Sequence, residues 1–103
     1  MRYDVFFTDR ARDDLEEVVE YLITEFCNKQ AVEHLLLCVD NVLDNLIINP
    51  YIYPRCREPI LCFKGYRIAV VSETKYVLIY RIDVKKVYIM GIFHSTEQYE
   101  KKI

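Results

Sequence analysis

Three side chains in the second half of this sequence are candidates for acid–base and charge-stabilising chemistry. His94 closes an apolar run, Tyr99 follows it in the tail, and Arg67 sits among apolar neighbours. An imidazole gives or takes a proton near neutral pH, and a guanidinium steadies negative charge. Each residue also has a plainer use: His94 in bonding a nearby carbonyl, Tyr99 as a surface anchor, Arg67 in a structural ion pair. The cysteines are Cys27, Cys38, Cys56 and Cys62. None forms a C-x-x-C pair, and the two histidines read as remote from them, so no metal site is expected. The bland reading is reduced, mostly buried thiols. No cofactor is expected.

These residues need elements to hold them. Tyr3 to Phe7 is an aromatic and β-branched run that predicts a first strand. Thr8 or Asp9 then caps a helix. Ala11, Leu15, Val18, Val19, Leu22, Ile23 and Phe26 recur at spacings of three and four, while Arg12, Asp13, Glu16, Glu17 and Glu20 face water. Asn28 caps a second helix with the stripe Ala31, Leu35, Cys38, Val39, Val42, Leu43 and Leu46, widened by Val32, Leu36 and Ile47. It ends at Asn49-Pro50, since proline disfavours helical geometry in the residue before it. So short a link between two helices predicts an antiparallel hairpin. Tyr51 to Pro59 reads as an irregular connector carrying the loop charges Arg55 and Arg57. Three strands follow, Tyr66 to Val71, Tyr76 to Ile82 and Val87 to Phe93, joined by short polar turns. The end, Ser95 to Ile103, is expected to add a short helix. The order is β-α-α-β-β-β, an α+β fold with a helical hairpin packed on an antiparallel sheet. Strands this apolar bury one face under helices and present a greasy second face, so a partner or self-association is expected, as a homodimer or a hetero-oligomer.

A chain of 103 residues reads as one domain, residues 1–103. With 52% hydrophobic and 29% charged residues, it is globular in composition and not disordered. A net charge of -2 argues against a broad phosphate-binding surface. No apolar run is long enough for a transmembrane helix, and Met1 to Arg12 does not read as a signal peptide, so a cytoplasmic protein without membrane contact is expected.

Several segments, in this order, resemble the RelE/ParE superfamily of type II toxin–antitoxin toxins. Thr8-Asp9-Arg10-Ala11-x-x-Asp14-Leu15-x-x-Val18-x-x-Tyr21-Leu22 is similar to that family's first helix. Leu46 to Pro50 resembles the end of its second helix, and Gly65-Tyr66-Arg67 the start of its second strand. Tyr76-Val77-Leu78-Ile79-Tyr80-Arg81-Ile82-Asp83 resembles its Tyr-x-x-x-Tyr-x-x-Asp strand, and Ile89 to Tyr99 its closing strand with a histidine-containing tail. The resemblance implies a toxin neutralised by a cognate antitoxin, an extended or helical segment that wraps it, and a role in plasmid stabilisation. Arg67, Tyr76, Tyr80, Arg81, His94 and Tyr99 are the expected partner contacts.

The superfamily implies two activities: ribosome-dependent mRNA cleavage, or non-enzymatic poisoning of DNA gyrase. Cleavage needs a base, an acid and cations around the transition state. Here Ala69 and Val77 stand where cations are expected on the strands, and Ser95, Thr96 and Glu97 where a tail arginine is expected. A catalytic set would reduce to His94, Tyr99 and Arg67. One oxyanion donor is worth about 2.7–4 kcal/mol, so losing two or three cations disfavours cleavage. The ParE-like, gyrase-binding branch fits better. A weakened mRNA interferase and a non-toxic binding module stand as alternatives.

Overall fold

The computed structural model describes residues 2–103. Strand β1 (Asp4–Phe7) leads into helix α1 (Asp9–Phe26), and α2 (Lys29–Ile48) folds back against it. Thr8, not Asp9, is the first cap. Its hydroxyl accepts from the Ala11 N–H at 3.2 Å and donates to the Ile89 carbonyl at 2.8 Å, so one side chain starts the helix and pins it to the sheet. Between the helices Cys27 adopts a left-handed conformation and Asn28 caps α2. A tight helical turn, Pro50–Ile52, follows the proline stop.

The connector gives way to a helix at its last residue. A one-turn helix, α3 (Pro59–Phe63), is capped by the Glu58 carboxylate and opened by Pro59, whose fixed backbone suits a first helical position. Then come β2 (Arg67–Val70), β3 (Tyr76–Asp83) and β4 (Lys86–His94). The sheet order is β1-β4-β3-β2. The meander β2–β3–β4 is antiparallel as expected, but β1 joins β4 in parallel, so the sheet is mixed. The helical hairpin returns the chain to the far edge, and β4 comes back beside β1 running the same way.

β1 covers β4 only from Lys86 to Ile89. Beyond it α1 takes over the edge: the Asp14 carboxylate accepts from the Ile92 N–H at 3.2 Å, in place of a strand partner. Where the cover changes, the β3–β4 register slips between Ile79 and Tyr80, and Met90 is the extra residue of a bulge.

The core has two parts. Between hairpin and sheet lie Ala11, Leu35, Val39, Val42, Leu46, Leu78, Tyr80, Val87 and Ile89. On the outer face lie Cys56, Leu61, Val77, Ile79 and Phe93, with Tyr66, Ile68, Met90, Tyr99 and Ile103 packed around them. The greasy outer face is thus largely covered by the chain itself, through α3 and the tail turn Tyr99–Lys101, and only part of it is left for a partner. Among the described residues, no helix is long and apolar enough to cross a membrane.

Candidate partner-binding surface

The three residues of the expected catalytic set do not meet. His94 pairs with Tyr76 at one end of β3, on the face turned toward the helices. Its ring lies edge-on to Tyr76 at 5.6 Å in a cleft of about 400 Å³ lined by Tyr21, Leu22, Phe26, His34 and Glu73. Tyr99 lies on the opposite face, tilted against Phe93 at 5.8 Å. Burial raises its pKa above the usual phenol value. Arg67 pairs with Tyr80, four residues further along β3 and on the other side of it from β4. Strand geometry puts about 15 Å between the His94 and Arg67 positions. Arg67 is already engaged: it donates to the Tyr53 carbonyl at 2.6 Å and lies over the Tyr51 ring at 5.1 Å.

The partner-contact candidates divide the same way. Tyr80 is fully buried, and its hydroxyl donates to the Pro50 carbonyl at 2.6 Å. It is a core residue with no surface to offer, which corrects the expectation. Its burial raises the phenol pKa strongly, against the lowering effect of nearby Arg67. Tyr76 is half-buried beside His94. Arg81 sits 4.3 Å over the Tyr88 ring, which stacks on Phe6 at 5.7 Å. Register carries this row across β3, β4 and β1 on the part of the outer face that α3 and the tail leave open.

His94 also organises the tail. Its backbone N–H donates to Glu97 at 2.9 Å, and its Nδ1 accepts from the Thr96 N–H at 3.3 Å. Lys102 donates to Glu97 at 2.6 Å. The Lys102 and His94 hydrogen bonds hold the Glu97 carboxyl below its ordinary pKa of 4.5. A depressed folded pKa gives stability that is complete above the unfolded value and lost as pH falls through the folded one. Glu97→Gln should therefore lower Tm at neutral pH and leave it unchanged in strong acid. Solvent screening of the half-exposed Lys102 keeps the loss under about 1 kcal/mol. Equal losses at both pH values, in thermal melts, would show that the charge is not the cause.

The helices carry a surface that periodicity did not separate from the core. Of the α1 stripe, Ala11, Leu15, Val18 and Leu22 pack inward. Ile23 and Phe26 are more than half exposed. Leu15, Val19, Ile23 and Leu36 floor a shallow groove between α1 and α2, edged by Glu16 and Glu20. It continues past Ile23 to Val32, Cys27 and Glu33. Around the helix end, Tyr21 and Phe26 stack edge-on at 5.4 Å. Such an apolar trough with an acidic rim suits an amphipathic segment with basic flanks.

A helical hairpin on this mixed sheet, with a grooved helical face, defines a small domain of the RelE/ParE toxin fold. The chain belongs to the ParE toxin family of type II toxin–antitoxin systems (parDE), whose sequence pattern matches residues 5–99. Among solved structures, it is similar to the chromosomal ParDE toxin–antitoxin system from P. aeruginosa: TM-score 0.62, 15% identity, covering 90% of this chain and 96% of that one. It is also similar to the RelBE2 toxin–antitoxin complex from Mycobacterium tuberculosis: TM-score 0.59, 26% identity, covering 91% of this chain and 99% of that one. A search of curated proteins gives no match.

Proposed function

We propose that this ParE-family toxin acts by binding a DNA gyrase-type topoisomerase and not by cutting RNA, that it serves plasmid stabilisation, and that a cognate antitoxin neutralises it. One observation carries the non-enzymatic reading: Tyr99 lies on the other face of the sheet from His94, Arg67 pairs four residues further along β3 than His94, and Arg67 is tied to the Tyr53 carbonyl. An acid, a base and a cation must lie within hydrogen-bond reach of one phosphodiester, and this spacing does not provide that. The antitoxin is then an amphipathic segment laid in the α1–α2 groove, its apolar anchors on Val19, Ile23 and Leu36 and its basic residues toward Glu16, Glu20 and Glu33. The solved relatives are toxin–antitoxin systems, which agrees with a partner of this kind.

Induced expression of the chain without its antitoxin tests the activity. Growth arrest with a DNA-damage response and intact messages is expected. Cuts within translated codons that disappear in His94→Ala would overturn the reading, as would unimpeded growth. Ile23→Glu tests the groove without touching the core. It should weaken antitoxin capture on the order of 30-fold, the equivalent of one interface hot spot. Unchanged affinity in a titration would place the antitoxin elsewhere.

A further inference from the structure

His34 and Cys38 stand one helical turn apart on α2, so both side chains leave the same face. The histidine that read as remote from the cysteines is in contact with one: His34 Nε2 lies 3.6 Å from Cys38 Sγ. The turn between β2 and β3 brings a third group. Glu73 takes a left-handed backbone, φ 64, and the turn is fixed by Thr74, whose hydroxyl donates to the Val71 carbonyl at 2.7 Å. From there Glu73 Oε2 reaches to 3.6 Å from His34 Nε2. One donor atom from each of the three residues lies within 4.8 Å of the other two.

These separations can be set against those that zinc demands. With Zn–S of about 2.3 Å and Zn–N or Zn–O of about 2.0–2.2 Å, tetrahedral angles place S and N about 3.5 Å apart and N and O about 3.4 Å apart. Two of the three edges are therefore already within a few tenths of an ångström of closure. The third closes by rotation of the exposed Glu73 side chain. A thiolate and a carboxylate would neutralise a divalent cation, and imidazole and thiolate together favour zinc over calcium or magnesium. The thiol is buried and the other two groups are exposed, so an ion could arrive from solvent onto a fixed sulfur.

We propose that His34, Cys38 and Glu73 form a zinc site with three protein ligands and a fourth position for water. The ion would tie α2 to the β2–β3 turn at the rim of the cleft that holds His94. Without it the same atoms make only a thiol–imidazole contact and an exposed ion pair, worth little.

The test uses the untagged full chain, reduced, with Co²⁺ as a spectroscopic probe. One equivalent should give a thiolate-to-cobalt charge-transfer band and strong four-coordinate visible absorption, both bleached by one equivalent of Zn²⁺. At Zn²⁺ a hundredfold above Kd, Tm should rise on the order of 10 °C. Cys38→Ser should abolish the charge-transfer band, with circular dichroism checking that this buried substitution still folds. Glu73→Gln lies on an exposed turn that does not threaten folding, and it should weaken binding by at least about tenfold, as should His34→Ala. Cys27→Ser should change nothing. No band in the folded wild type would overturn the site, as would binding undiminished in both His34→Ala and Glu73→Gln.

Discussion

Tyr80→Ala is expected to lower stability by about 3–5 kcal/mol, the loss typical of removing a buried aromatic ring. Tyr80→Phe, which keeps the ring, should cost about 1–3 kcal/mol. The ring is fully buried between hairpin and sheet, 6.4 Å from Tyr53 in an edge-on contact. The hydroxyl reaches the Pro50 carbonyl, at the point where α2 gives way to the connector. Phenylalanine would leave that carbonyl buried without a donor, whereas alanine would also leave a cavity at the centre of the sheet. Domains of this size have only about 5–15 kcal/mol of stability in all, so the alanine variant should be substantially unfolded near 37 °C. Urea denaturation of both variants measures the two steps separately. It also separates a core role from a contact role. A partner anchor would lose affinity in Tyr80→Phe at unchanged stability, and the opposite is expected here.

Gly91→Val should cost about 3 kcal/mol and loosen the tail. A Cβ at Gly91 would lie 2.5 Å from Phe93 Cε2, 2.6 Å from its Cζ and 3.1 Å from Asp14 Oδ2. The Phe93 ring cannot swing aside freely, since Tyr99 lies against it and the Arg10 guanidinium sits 5.6 Å from its centroid. Arg10 in turn bonds the Lys102 carbonyl and pairs with Asp14 at 3.5 Å. Displacing the ring therefore disturbs the tail anchor and the carboxylate that closes the β4 edge, an overpacking penalty at the upper end of the usual range. Gly65→Ala is the control. Its φ of +80 strains any other residue, but a Cβ there meets nothing, so the loss should be about 1 kcal/mol. Thermal melts together with limited proteolysis of residues 95–103 check both. Equal losses at the two glycines would mean that the Phe93 contact is not the cause.

The helices were legible because their signals are local. Thr8, Asn28 and Pro50 start and stop α1 and α2 where the spacing of apolar residues says they should, and the three meander strands fall within two residues of their expected limits. What could not be read depends on packing between distant segments. The apolar residues of α1 form one broad stripe in sequence, and only the sheet decides that Val18 goes inward while Ile23 lines a groove. The α3 turn had a signal, Glu58 before Pro59, but five residues carry too little periodicity to stand out. Tyr99 looked like a loose anchor because nothing local shows that Phe93 waits beneath it. Asp14 was one of several acids on a charged helix, and its task appears only once β1 proves too short for β4. The His34–Cys38 pair was readable from its helical spacing; Glu73, on a different element, was not.

The pairing of β1 with β4 joins Phe7 to Ile89. Of the four strands, the one made first is thus completed by the one made last. At about 5–20 residues per second, several seconds separate their synthesis. During that interval the helical hairpin has no finished sheet to rest on, and contacts so distant in sequence are the slow ones to form. The sheet closes only once β4 has been made, so β1 and the hairpin stand without it until then. Loss of either β1 or β4 would remove the same seam.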